Sequence, residues 1–208
     1  MPSLFVYPLR GLQTKIKISF LNLNEKPDCL VVSPGGCGTI TLINYLNKFK
    51  KTNLYIEKKY KINLRHIYKP SNFLKKNNIK IILIKRDFQS IYNSMKSRGF
   101  IRNGLSNLGD LFPFMFINLF KDEKKLKKKY FLFLNLFYSN WNNYDTKYIL
   151  RINFKDLYSN DKSINKIKKF LNINKKNFIK NFPKFKRYIK SDKFIDPSTK
   201  QSKKIFKK

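Results

Sequence analysis

Apolar residues along the chain fall into two kinds of run, continuous runs and runs with helical spacing. Continuous apolar runs, such as 79–85, are typical of strands buried in a parallel sheet. The predicted strands are 15–20 as an edge strand, 29–32, 54–56, 60–68, 79–85 and 148–154.

Runs with apolar residues at three- and four-residue steps lie between these strands and predict helices. The predicted helices are 39–49, 71–78, 87–99, 105–120, 122–142 and 163–171. Asp87 is a typical N-cap for the third helix, and Gly99 is a typical end. The predicted buried stripe of this helix consists of Phe88, Ile91, Tyr92 and Met95. The predicted inward residues of helix 122–142 are Leu126, Tyr130, Phe133, Leu134, Phe137 and Trp141. Strands alternating with helices predict an α/β fold with a mainly parallel central sheet flanked by helices.

The length of 208 residues predicts one principal domain. We expect an N-terminal edge segment at 1–27, the α/β domain at 28–183 and a basic tail or ligand-ordered loop at 184–208. Residues 1–10 lack a signal-peptide pattern and no run reaches transmembrane length, so a cytoplasmic location is predicted. Two cysteines and one histidine are too few for a disulfide framework or a typical zinc site, and no metal is expected.

The chain carries 46 Lys and Arg against 12 Asp and Glu, a formal net charge of +34. Abundant Lys, Asn, Ile, Phe and Tyr, with no Ala, indicate a bias toward A/T-rich codons as the leading cause of this charge. A positive field still helps to capture a polyanionic ligand. Lysines interleaved with aromatic residues at 124–133 and 180–208 keep an alternative open, a nucleic-acid-binding or anionic-membrane-binding protein without catalysis.

A glycine-rich turn joins the predicted strand 29–32 to the predicted helix 39–49. Its residues Ser33-Pro34-Gly35-Gly36-Cys37-Gly38 permit close approach of a ligand, and successive amides at a helix start attract anions. The turn is not a nucleoside-triphosphatase loop, because Thr39 stands where the lysine would follow Gly38. The G-x-G-x-x-G spacing of dinucleotide folds is also missing, because Thr41 occupies the place of the last glycine.

A second candidate anion site follows the buried strand 79–85. Arg86 comes directly after that strand, and Ser94 lies eight residues further along the predicted helix. A guanidinium can hold a phosphate through two parallel N–H bonds, and a serine hydroxyl can add a third.

With both sites in this order, the chain resembles the sulfotransferases that use 3′-phosphoadenosine 5′-phosphosulfate (PAPS). In that family a strand–loop–helix holds the 5′-phosphosulfate. A later strand ends in Arg-Asp, with a Ser eight residues after the Arg, and this Arg and Ser hold the 3′-phosphate. Arg86-Asp87 and Ser94 match that spacing, so the resemblance implies that Arg86 and Ser94 hold the 3′-phosphate here. Tyr148 to Asp156 and Leu157 are similar to the family's later strand, so the resemblance spans about 28–175. It implies a P-loop-type, nucleotide-kinase-like architecture.

The resemblance implies sulfuryl transfer from PAPS to a hydroxyl or amine of an unknown acceptor, for which a glycan or lipid-linked saccharide is the candidate class. The cofactor-binding residues that it implies are Gly35, Gly36, Cys37, Gly38, Thr39, Ile40, Thr41, Arg86 and Ser94. Peripheral contact with an anionic membrane is a further candidate, and on this interpretation no nucleic-acid partner is expected.

Two features depart from the family or match it loosely. The family's first loop carries Lys or Arg where this chain has Gly36, so either another cation reaches the loop or catalysis is weaker. His66 lies before Pro70 in a segment where the family often has its catalytic base, although the offset differs. A lone histidine is more often structural, and Asp110 and Glu123 are weaker alternatives for the base.

Overall fold

A computed structural model describes residues 26–60, 64–97, 101–108 and 122–183 of the chain. Its strands are β1 (Cys29–Val32), β2 (Lys80–Lys85) and β3 (Ile149–Asn153). Its α-helices are α1 (Thr39–Leu46), α2 (Asn53–Tyr60), α3 (Asn72–Lys76), α4 (Phe88–Lys96), α5 (Ile101–Leu108), α6 (Glu123–Asn142), α7 (Phe154–Ser159) and α8 (Asp161–Phe170). Short 3₁₀ turns cover Thr146–Tyr148 and Lys176–Phe178.

The three described strands form one parallel sheet in the order β1-β2-β3. Val32 of β1 pairs with Leu83 of β2, and Lys85 of β2 pairs with Asn153 of β3. The predicted α/β fold with a parallel sheet flanked by helices is therefore confirmed. Because all three strands run the same way, the segments that follow them emerge at one edge of the sheet.

The core is built on the continuous apolar runs that predicted β1 and β2. All four residues of β1 and the four central residues of β2 are buried. Helix α6 contributes the largest buried side chains through Tyr130, Phe137 and Trp141, all 0% exposed. These aromatic residues belong to the predicted inward stripe of α6, and within it only Phe133 stays partly exposed.

Two predicted strands are wrong. Residues 54–56 lie inside helix α2, and 60–68 contains the last residue of α2 and, from residue 64, turns. In this segment the carbonyl groups of Ile67 and Tyr68 accept hydrogen bonds from Trp141 Nε1 (3.2 Å) and Asn140 Nδ2 (3.4 Å). Side chains of α6 thus take the place of a strand partner.

The short apolar group in α2 misled the prediction because periodicity cannot separate a strand from one buried helical turn. Asn53, 0% exposed at the start of α2, explains why a helix fits here. Its Oδ1 accepts from Val31 N (2.8 Å) and its Nδ2 donates to Val31 O (3.1 Å). One amide side chain thereby satisfies the outward-facing backbone groups of β1 that a neighbouring strand would otherwise bind.

Several predictions lie outside the described residues. They are the edge strand 15–20, the helix end at Gly99, residues 109–120 of the predicted helix 105–120, Asp110 and the tail 184–208. In the described part of the chain, no helix combines the length and apolar character needed to cross a bilayer. The cytoplasmic location and the domain limits stay predictions.

Candidate anion site at the carboxyl edge of the sheet

The glycine-rich turn after β1 adopts a conformation that depends on glycine. Gly35, Gly36 and Gly38 have φ of 103°, 64° and 63°, in the left-handed region that side-chain-bearing residues rarely adopt. Gly38 is the N-cap of α1, with no side-chain hydrogen bond, and the first turn of α1 holds no acidic residue. The positive end of the helix dipole therefore faces the turn without a carboxylate to offset it.

Hydrogen bonds inside the turn hold its buried residues in place. The hydroxyls of Ser33 and Thr39 are 2.5 Å apart, and Gly35 N donates to Ser33 Oγ (3.3 Å). The thiol of Cys37, 1% exposed, donates to Gly35 O (3.0 Å). These contacts shape the turn, whereas Gly36, Gly38, Ile40 and Thr41 stay partly exposed, where a ligand can reach them.

Arg86 reaches the turn from the end of β2. Its Nη1 donates to the carbonyl oxygen of Gly36, and its guanidinium carbon lies 4.4 Å from the ring centroid of Phe154. Gly36 is the loop position at which the sequence led us to expect that a cation would be needed. In this structure the cation that lies there comes from the neighbouring strand.

Tyr138 of α6 fixes the backbone of Arg86. Arg86 N donates to Tyr138 Oη at 3.1 Å, and the same hydroxyl lies 3.4 Å from Arg86 O as a donor. Burial raises the pKa of Tyr138, with the nearby Cys37 thiol adding to the effect, so the hydroxyl keeps its proton.

Helix α7 closes the other side of the turn. Tyr158 Oη donates to Gly38 O (2.9 Å), and burial raises the pKa of this phenol as well. A Cβ added at Gly38 would lie 2.9 Å from Tyr158 Oη and 3.1 Å from Phe154 Cε2. The aromatic pair therefore packs directly on the glycine backbone and leaves no room for a side chain at residue 38.

His66 lies at the same turn, on the side of Gly35. His66 Nδ1 is 2.8 Å from Ser33 O, and Ser33 N donates to Arg65 O (3.0 Å). Because a carbonyl oxygen only accepts, Nδ1 carries the proton of this hydrogen bond. In the neutral ring the lone pair is then on Nε2, the arrangement that a general base requires.

Ser94 is buried on α4, 8% exposed, and its carbonyl oxygen accepts from Ser97 Oγ (3.3 Å). Its neighbour Met95 places Sδ 3.5 Å from the position of a Cβ on Gly35, so this part of α4 packs close to the turn. Glu123, the weaker candidate for the base, is exposed and ion-paired with Lys96. Among the residues that the structure describes, no three His, Cys, Asp or Glu side chains gather as a metal site would need.

The predicted turn residues, Arg86 and His66 thus come together at one edge of the sheet. Sequence reasoning missed Tyr138, Phe154 and Tyr158, which hold them. For Phe154 and Tyr158 the carboxyl end of β3 was an available signal, since residues that follow parallel strands share an edge.

Comparisons with known proteins assign no relative to this chain. No family model, no curated protein and no solved structure matches it. Any function must therefore be argued from the residues and their geometry.

Proposed function

We propose that the turn 33–39 and Arg86 bind the phosphosulfate of a PAPS-type nucleotide, and that the protein transfers the sulfuryl group to a hydroxyl or amine acceptor. The proposal is carried by one observation, the hydrogen bond from the Arg86 guanidinium to Gly36 O. It brings the one element that the glycine turn lacked, a cation, to the start of α1.

Sulfuryl transfer needs in-line positioning and donors for negative charge that spreads over the oxygens in the transition state. The uncapped amides at the start of α1 supply one set of donors. A guanidinium has five N–H groups, and its described side-chain hydrogen bond, to Gly36 O, engages one nitrogen. Stacking on Phe154 orients the plane of Arg86 so that the remaining donors are presented in a fixed geometry.

The same geometry changes the expected role of Arg86. Because its guanidinium lies at Gly36, we assign it to the anionic group at the turn, where the family's loop cation acts. Ser94 stays the predicted ligand for the 3′-phosphate. In the reaction, the bond from sulfur to the phosphate oxygen breaks, a bond to the acceptor oxygen or nitrogen forms, and His66 Nε2 takes the acceptor's proton. The products are 3′-phosphoadenosine 5′-phosphate and a sulfated acceptor.

Calorimetry with 3′-phosphoadenosine 5′-phosphate, followed by transfer of radiolabelled sulfate from PAPS to a panel of saccharides, lipids and small alcohols, tests the proposal. Loss of a charged hydrogen-bond partner costs about 1.5–3 kcal/mol, so Arg86→Ala should weaken nucleotide binding about 10-fold to 100-fold. Lys75→Ala removes the same charge from an exposed position on α3 and should leave affinity unchanged.

His66→Gln separates binding from chemistry. We expect normal nucleotide affinity with a transfer rate lowered by about 10²-fold or more, because the base is lost while the anion site is intact. Wild-type protein that binds no nucleotide, or Arg86→Ala with unchanged affinity, would refute the donor site. Normal turnover by His66→Gln would remove His66 alone from the mechanism.

A further inference from the structure

Exposed apolar side chains are concentrated on one helix. Among the described residues, the large hydrophobic side chains that face solvent are Phe131 (49%), Leu132 (48%) and Leu136 (40%), all on α6. Phe131 also contacts Phe88, with ring centroids 5.1 Å apart, so packing within the fold accounts for its position. The exposure of Leu132 and Leu136 is what the fold does not explain.

Helical spacing puts these leucines on the face of α6 opposite its core stripe. Leu132 and Leu136 are one turn apart, and Lys128 and Lys129 lie one turn before Leu132. Lys125 extends the same face by another turn. These three lysines are exposed. We call residues 125, 128, 129, 132 and 136 the outer face of α6.

The charge that α6 itself contributes to this face has one sign. Residues 124–142 contain no Asp or Glu, and the preceding Glu123 is paired with Lys96. Lysines beside an anionic bilayer each add attraction, while leucines in the same face can enter the boundary between head groups and acyl chains. The two halves of the outer face thus match the two layers of an anionic membrane surface.

We propose that the outer face of α6 docks on an anionic lipid bilayer, with the helix axis parallel to the membrane plane. Nucleic acid would also attract the lysines, but bases stack on planar rings, and Leu132 and Leu136 offer none. On a bilayer both the charged and the aliphatic parts of the face find a partner. The proposal stands apart from the nucleotide site, because none of its residues touches the turn 33–39.

Co-sedimentation with vesicles at 0.15 M salt tests this docking, using phosphatidylcholine vesicles with and without about one-third phosphatidylserine. Wild-type protein should bind the anionic vesicles. The charge-neutral double variant Leu132→Gln/Leu136→Gln should bind at least about tenfold more weakly, because burial of two leucines is lost. Lys128→Gln/Lys129→Gln should lose about fivefold per lysine.

Lys75→Gln/Lys76→Gln is the matched control, an exposed lysine pair in the last turn of α3. It should bind more tightly than the Lys128/Lys129 variant, and the melting temperature of the leucine variant should equal that of wild type. If both lysine double variants lost the same vesicle affinity, or if the leucine variant bound vesicles as wild type does, the proposal would be overturned. The net positive charge of the whole surface would then account for vesicle binding. A lowered melting temperature of the leucine variant, without vesicle binding by wild type, would show that protein covers this face. Binding of RNA in place of vesicles would also overturn it.

Discussion

Arg86 and Asp87 follow β2 directly, and their side chains make contacts in opposite directions along the chain. Arg86 turns back to Gly36, whereas Asp87 turns forward and caps α4, accepting from Ser90 N at 2.8 Å. The sequence predicted the position of both, since Asp at a strand–helix junction is a typical N-cap. The contact of Arg86 with Gly36 could not be predicted, because the reach of an arginine side chain depends on Phe154, which lies far along the chain.

Asp87 carries a pH-dependent part of stability. The hydrogen bond from Ser90 N lowers the pKa of Asp87 from its ordinary 3.8, with partial burial opposing and the Arg86 charge assisting. A carboxylate with a lowered folded-state pKa stabilises above its unfolded-state pKa, and this stabilisation is lost as pH falls through the folded-state value. Asp87→Ala should cost about 1 kcal/mol near pH 7, and the difference from wild type should shrink as pH falls below 3.8.

Urea unfolding at several pH values measures this difference. Asp87→Asn is the control, because asparagine caps as well as aspartate but does not titrate. Near pH 7 the free energy of unfolding of Asp87→Asn should equal that of wild type. An alanine variant as stable as wild type at pH 7 would contradict the capping role.

At the scale of elements, what could be predicted depended on how distinctive each pattern was. β2 is a six-residue strand with four consecutive buried apolar residues, and α6 is a 20-residue helix with five buried positions. Both patterns are longer than the apolar group of α2, and β-branched Ile in β2 and the 20-residue length of α6 favour the observed elements. α2 has two buried residues, Asn53 and Ile56. Of these two, Asn53 is the residue that forms hydrogen bonds with the sheet. No rule based on apolar periodicity could find a role carried by a buried amide.

The two hydrogen bonds between Asn53 and Val31 of β1 should contribute to the free energy of unfolding. Asn53→Ala would leave Val31 N and Val31 O buried without their side-chain partners. An unsatisfied buried polar group costs about 1–3 kcal/mol, so the two together should lower the free energy of unfolding by about 2–6 kcal/mol. Urea or thermal unfolding measures this.

Asn44→Ala provides a matched control, since Asn44 is an exposed asparagine on α1. Its change should stay within about 0.5 kcal/mol, as for other surface substitutions. Equal effects of the two substitutions would mean that water or a shift of β1 satisfies Val31, and the amide would then not stand in for a strand.

At the scale of the whole molecule, the site depends on aromatic residues that the composition hides. The chain has 20 Phe and 12 Tyr, so Tyr138, Phe154 and Tyr158 are not conspicuous in the sequence. Nothing in their spacing sets them apart from the aromatic residues of the core. The parallel sheet makes Phe154 and Tyr158, which follow β3, neighbours of the glycine turn, and helix α6 brings Tyr138 to Arg86.

The net charge of +34 makes stability depend on salt in two separable ways. Self-repulsion among lysines weakens the folded state at low ionic strength, and the Debye length falls from about 30 Å at 0.01 M to about 10 Å at 0.1 M. Raising NaCl across this range should therefore raise the melting temperature, about 2–4 °C for each kcal/mol of repulsion removed. A melting temperature that is flat or falling would show that the charges are already too far apart to repel.

Replacing chloride by sulfate at equal ionic strength isolates the turn from this general effect. Sulfate stabilises most proteins by exclusion, and that part is common to all variants. If the start of α1 and Arg86 bind sulfate, wild type gains a further shift by mass action, which Arg86→Ala should lose and Lys75→Ala should keep. A sulfate shift of the same size in all three proteins would locate no anion at the turn. One set of melting curves thus distinguishes two effects of salt, the screening of repulsion over the whole surface and the binding of an anion at Arg86.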